Sequence, residues 1–204
     1  EAEASLNNFE KIINTPIEKK PENPIPLNAI EKLAFNDLTF RHKSSSYDAL
    51  SNINFEVQKG ETVAFVGPSG SGKSTLVKAI LGHQPLESGS IVWKNVALLK
   101  QSGEISYVPQ KDEIDFSFPA TAYDVVNMGQ YRREVTKEEI QVQMERLGIW
   151  EWKNRPIGQL SGGQQQRCFV ARALVQNAPI IILDEPFVGI DATTEAKIME
   201  VLRA

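Results

Sequence analysis

Apolar and polar positions along this chain follow two different periods. Residues 33–40, 53–57, 62–66, 90–93 and 105–108 are short runs rich in β-branched and aromatic side chains, bounded by polar or glycine-containing turns, and they predict strands. One helical repeat interrupts them, at residues 75–81, and stops at Gly82. From Pro119 the pattern turns helical. Thr136-Lys137-Glu138-Glu139 reads as a capping box, and Ile140, Met144 and Leu147 share one face before Gly148. A long helix is predicted over 162–177, a buried strand over 180–183 and a last helix from Ala192. Leu6, Phe9 and Ile13 stand at helical spacing in residues 1–14, which Thr15-Pro16 and the proline-rich run 20–26 then break into a semi-extended linker. Strands alternating with helices predict an α/β fold, a mixed sheet flanked by helices. We assign 1–32 to the tail and linker and 33–204 to one domain. Its core is 33–118 and 171–204, and its helical subdomain is about 119–170.

Bulk composition narrows the partners. The chain has 204 residues, 41% hydrophobic and 24% charged, enough for one sizeable core. Its net charge of −4 argues against a general nucleic-acid surface, so no nucleic-acid partner is expected. Cys168 is the only cysteine, which excludes an internal disulfide, and His42 and His83 have no metal-ligand spacing. No run reaches the length of a membrane span. Trp150 and Trp152, two apart, read as packing or partner-contact residues, Cys168 reads as a packing residue, and Arg132-Arg133 reads as a solvated turn.

The most informative stretch is Gly67-Pro68-Ser69-Gly70-Ser71-Gly72-Lys73-Ser74, a complete G-x-x-x-x-G-K-[ST] pattern between a predicted strand and a predicted helix. The glycines let backbone N–H groups close around phosphate oxygens, and the helix N-terminus, entered through Thr75, adds positive partial charge. Lys73 can reach β- and γ-phosphates, and the Ser74 hydroxyl can bind Mg²⁺. A second motif, residues 180–185, is a hydrophobic strand that delivers Asp184 and Glu185 at its C-terminal end, where α/β sheets bind ligands. Asp184 suits the Mg²⁺ shell and Glu185 the polarisation of an attacking water.

The third motif is Leu160-Ser161-Gly162-Gly163-Gln164. Ser161 can cap the helix while Gly162 and Gly163 let its N-terminus approach an anion. Followed by Gln165-Gln166-Arg167, Ala171-Arg172-Ala173-Leu174 and Leu183-Asp184-Glu185-Pro186, it resembles the ATPase domain of ABC transporters over about residues 33–204. The resemblance implies a phosphate-loop ATPase core with a helical subdomain, ATP and Mg²⁺ as ligands, and a cytoplasmic, peripheral membrane location. It implies transmembrane permease partners and a head-to-tail dimer in which the Ser161 loop, with Gly162, Gly163 and Gln164, closes on ATP held by a second ATPase domain. It also implies that Gln110 touches Mg²⁺ and water, and that Asp191 contacts the opposite subunit. Asp191 can equally cap the last helix. His42 sits where the family stacks an aromatic residue on adenine, with Tyr47 as a substitute. Catalysis would then rest on Glu185, Lys73 and Gln110, and metal binding on Ser74, Gln110 and Asp184.

The two ends resemble different branches. Residues 1 to about 90 resemble exporter-type ATPase domains. From about 104, the stretch 107–110 with Ile114-Asp115, Phe118-Pro119 and 124–129 resembles ATPases of manganese and zinc importers. We read the chain as a mosaic, natural or engineered. Family members continue past Ala204 with a further strand and a switch histidine, so the resemblance implies a C-terminally truncated domain of weak turnover. Alternatives are an ATP-binding module without turnover, an exporter ATPase, or a non-transport ATPase of the repair or translation type. Members of that last type carry a second ATPase domain, a coiled coil or basic surfaces, which are not seen here.

Overall fold

A computed structural model describes residues 32–41, 47–100, 103–110, 119–130 and 134–203. The chain divides into 1–30 and 31–204, and every described residue lies in the second unit. The predicted tail and linker (1–31), His42, the polar loop 43–46, Ile114, Asp115, Phe118 and the Arg132-Arg133 pair lie outside the described residues.

The first layer is an antiparallel sheet. It contains β1 (Lys32–Arg41), β2 (Asp48–Gln58), β3 (Ser88–Trp93) and β4 (Val96–Ala97), in spatial order β2-β1-β3-β4. Phe35 faces Phe55 on one side and Ile91 on the other, and the two phenyl rings stack with centroids 4.0 Å apart. β2 begins five residues before the apolar run that predicts it. Its polar start is held by the ladder to β1 and by Arg41 Nε donating to Asp48 Oδ1 at 2.8 Å. Helix α1 (Lys73–Ile80) packs Leu76 and Ile80 against this sheet.

β1 carries a bulge that local propensity does not announce. Asp37 takes a left-handed φ of 47°, and its backbone N–H donates to Asn54 Oδ1 while Asn54 Nδ2 donates back to Asp37 Oδ1, both at 2.8 Å. Gly89 sits against this bulge at φ 88°, and a Cβ there would stand 2.5 Å from the carbonyl oxygens of both Asn36 and Asp37. Gly60 has a similar φ of 84° but open space around it. Gly60→Ala should therefore cost only the backbone strain, about 1–2 kcal/mol. Gly89→Ala should cost about 2 kcal/mol more, lowering the melting temperature by roughly 4–8 °C relative to Gly60→Ala. Equal melting temperatures for the two variants would refute the packing argument.

The second layer is a parallel pair, β5 (Ile105–Val108) and β6 (Ile180–Leu183), with Ile105 opposite Ile180 and Val108 opposite Leu183. Between them in sequence lie α2 (Ala122–Asn127), α3 (Lys137–Arg146) and α4 (Gly162–Gln176), and α5 (Ala192–Arg203) comes after β6. These helices build a second core around Val126, Ile140, Met144, Leu147, Val170 and Ile198. Thr136 and Glu139 form the predicted capping box, and Thr121 with Asp124 forms another at α2. Hydrogen bonds from the Thr121 hydroxyl and backbone hold the Asp124 carboxyl below its usual range. Trp150 and Trp152 pack on this core, with Lys153 Nζ 3.7 Å from the Trp150 ring centroid. Burial pushes the Cys168 thiol up to about 12, as suits an inert packing residue.

One predicted strand is corrected. Residues 62–66 form no ladder and lie exposed, Val66 at 93%. The β-branched run fits a pleated surface, but it becomes a strand only where a neighbour completes the hydrogen bonds. This segment instead continues from the turn at 58–61 and meets β2 through Phe65, whose ring packs edge-on against Phe55 at 5.6 Å.

Candidate active site

The glycine loop enters α1 as the pattern predicts. Gly72 is the N-cap residue at φ 91°, with no side-chain cap, so the first N–H groups of α1 are left for another acceptor. A Cβ at Gly72 would meet the Ala49 carbonyl oxygen at 2.9 Å and Leu50 at 3.1 Å. Glycine is thus required both by the backbone angle and by the approach of the loop to β2. Ser71 N–H donates to the Pro68 carbonyl at 3.2 Å, which closes the loop into a turn. Lys73 folds back over the loop and donates to the carbonyl oxygens of Gly67 at 2.8 Å and Pro68 at 3.0 Å. Its ammonium is therefore held against the loop, with Ser71 Oγ a third acceptor at 3.4 Å. A phosphate there would exchange neutral carbonyl acceptors for charged ones. Ser74 and Thr75 lie in the first turn of α1.

The acids stand at the carboxyl ends of the parallel pair. Asp184 is buried, its N–H donates to the Val108 carbonyl at 3.0 Å, and Tyr107 Oη approaches its Oδ2 at 3.5 Å. Glu185 occupies a left-handed φ of 47°. That conformation costs a non-glycine residue about 1–2 kcal/mol and is characteristic of functional positions. The adjacent strand supplies the partner: Gln110 Nε2 donates to Glu185 Oε2 at 2.9 Å. β5 and β6 thus bring together two residues 75 positions apart in sequence, beside Asp184.

Among the described residues no group of three His, Cys, Asp or Glu side chains converges on a metal site. A site with one or two carboxylates suits Mg²⁺ that completes its shell with phosphate oxygens and water. Asp184 and the Ser74 hydroxyl are oxygen donors of the kind such a shell takes.

The third motif forms the start of α4. Ser161 and Gln164 make a reciprocal capping box, Gln164 N–H to Ser161 Oγ at 3.4 Å and Ser161 N–H to Gln164 Oε1 at 2.9 Å. Gly163 lets this turn approach α5, since a Cβ there would stand 3.1 Å from Thr194 Oγ1. Asp191 accepts from Thr194 N–H at 2.9 Å and from Thr194 Oγ1 at 2.8 Å, so it does cap α5. These two bonds, the backbone one first, hold its carboxyl below the usual range. The Gly163–Thr194 contact places the Ser161 and Asp191 loops side by side, which the sequence does not signal. Tyr47 is 77% exposed and His42 lies outside the described residues, so the adenine contact is not defined by either. Ser161→Ala should lower stability by about 1 kcal/mol without nucleotide through loss of the cap, measurable by urea titration. An unchanged midpoint would show that the cap carries no weight.

Comparison with known proteins accords with this arrangement. The family model described as ABC transporter matches residues 50–188. The chain is 44% identical over 161 residues to the manganese transport system ATP-binding protein MntB of Bacillus subtilis, covering 75% of this chain and 64% of that protein. It is 40% identical over 178 residues to the zinc transport system ATP-binding protein TroB of Treponema pallidum, covering 82% and 65%. The chain thus spans a little under two thirds of these two relatives' length. Among solved structures, a putative ABC transporter ATP-binding protein from Pyrococcus furiosus superposes with a TM-score of 0.74 at 29% identity, covering 84% of each chain. An ATP-bound bacterial Atm1-family ABC exporter matches with a TM-score of 0.73 at 26% identity, over 98% of this chain and 37% of that one. With the glycine loop, the strand-end acids and the Ser161 turn all in place, the chain belongs to the ABC transporter family, in its ATP-binding branch.

Proposed function

We propose that this chain binds ATP with Mg²⁺ and hydrolyses it to drive a transporter of divalent metal ions. It would act at the cytoplasmic face of the membrane on permease subunits, paired head to tail with a second ATPase domain. The observation that carries this reading is the Gln110–Glu185 hydrogen bond beside buried Asp184, at the ends of two parallel strands. The manganese and zinc relatives support the class of cargo. Among the described residues no helix is long and apolar enough to cross a membrane.

Phosphoryl transfer asks the protein for positioning and charge stabilisation more than covalent chemistry. Lys73 and the N–H groups at the start of α1 would hold the phosphate oxygens. Bound Mg²⁺ would neutralise charge on those oxygens, with Asp184 and Ser74 holding it. Glu185 would accept a proton from the attacking water, and Gln110 keeps that carboxylate from swinging away. The Ser161 turn of a second copy would add hydrogen-bond donors across the nucleotide.

Radiolabelled ATP turnover, run beside a binding titration, tests this. Saturable binding with Mg²⁺-dependent phosphate release is expected. Binding without release would leave a nucleotide-binding module, and absence of both would reject the assignment.

A further inference from the structure

β5 has β6 along one edge, and among the described residues no strand lies along the other. The carbonyls of Glu104 and Val108 accept from β6, through Ile180 N–H at 3.1 Å and Asp184 N–H at 3.0 Å. Carbonyls alternate sides along a strand, so those of Ile105 and Tyr107 face the other way. Both are met by side chains of α4. Arg172 Nη2 donates to the Tyr107 carbonyl at 3.0 Å, and Gln176 Nε2 donates to the Ile105 carbonyl at 2.8 Å. The spacing matches. Four residues of helix advance about 6 Å, and two residues of strand about 6.6 Å. Two side chains one turn apart can therefore grip alternate carbonyls of one strand edge.

The Arg172 guanidinium is half-buried, lies 5.1 Å from the Phe169 ring centroid and has its pKa pulled down by partial desolvation. Among the described residues its hydrogen bond goes to a carbonyl rather than a carboxylate. A half-buried cation that gives its hydrogen bond to a backbone carbonyl ties down that stretch of backbone. The gripped strand leads into Pro109 and then Gln110, whose amide holds Glu185. Proline removes one backbone freedom, so Gln110 stands where the end of β5 puts it.

We propose that Arg172 and Gln176 are positioning residues for hydrolysis. They form a side-chain clamp on the outer edge of β5 that fixes Gln110 against Glu185. The proposal rests on the hydrolytic reading above for its consequence, though not for the clamp itself. It also gives α4 two tasks. Its first turn presents the Ser161 loop to a second copy, and its later turns hold the strand that leads to Gln110, so closure at one end reaches the site at the other through one helix.

The experiment is a double-mutant cycle on the full chain, pairing Arg172→Met with Gln110→Ala and measuring ATP hydrolysis and ATP affinity. Arg172→Met should lower kcat by about tenfold when Gln110 is present and by less than about twofold when it is already Ala, with ATP affinity changed less than about twofold. Arg172→Lys, which can still reach one carbonyl, should recover part of the loss. A fall of the same size in both backgrounds, no fall at all, or a loss of ATP affinity would overturn the proposal. If Arg172→Met does not fold, Gln176→Met enters the same cycle with the same criteria. Amide hydrogen exchange tests the clamp without nucleotide. Residues 106–110 should exchange about tenfold faster in the variant while residues 165–170 of α4 do not change, and unchanged exchange at 106–110 would overturn it. Should the wild-type chain bind no ATP, the functional reading fails while exchange still decides the clamp.

Discussion

Glu185→Gln is expected to bind ATP as well as the wild type and to hydrolyse it about 10²–10⁴-fold more slowly, the range lost when a general base is removed. The substitution keeps shape and removes charge. The amide oxygen it introduces can still accept from Gln110 Nε2, which meets the glutamate at 2.9 Å, so the site should keep its arrangement. The left-handed backbone at this position, φ 47°, costs the same with either side chain, so stability should change little. The fall in rate then reports on proton acceptance alone. Wild-type turnover by this variant would remove Glu185 from the mechanism.

Lys73→Ala should weaken ATP binding at least about tenfold, since a charge-assisted hydrogen bond contributes about 1.5–3 kcal/mol. The geometry sharpens this expectation. Lys73 Nζ is held over the loop by the Gly67 and Pro68 carbonyls, so the ammonium is already in place and little ordering is needed on binding. The loop is also tied independently, by the Ser71–Pro68 backbone bond and by the contact of Gly72 with β2. The alanine variant should therefore melt near the wild-type temperature while binding weakly. Lys73→Arg should not restore affinity, because a planar fork cannot replace a compact ammonium in a turn this tight. Unchanged affinity by calorimetry would sink the assignment of the loop.

Much of the site was legible because its signals are local. The helix after the glycine pattern, the strand that ends before Asp184 and Glu185, and the Ser161 turn each depend on neighbours in sequence and form where expected, while the strand expected before the glycine loop does not form. β5 and β6 match the predicted 105–108 and 180–183 in position, but the burial expected of 180–183 is corrected: no residue of β6 is fully buried and Ile181 is 37% exposed. The Thr136 box was readable from spacing. The Thr121 box has the same spacing, with aspartate at the third position, and a looser template would have found it. Other features have no local signal. The Asp37–Asn54 exchange joins positions 17 apart, and the Arg172 clamp on Tyr107 spans 65. Residues 62–66 show the converse error, in which composition promised a strand and no ladder partner completed it.

Light scattering on Glu185→Gln tests most directly the claim that each nucleotide is clamped between the glycine loop of one chain and the Ser161 turn of another. With ATP and Mg²⁺ the mass should double from the 22.7 kDa of one chain, and it should return to that value when Ser161 or Lys73 is also substituted. A mass that stays at one chain under saturating ATP would contradict the shared site.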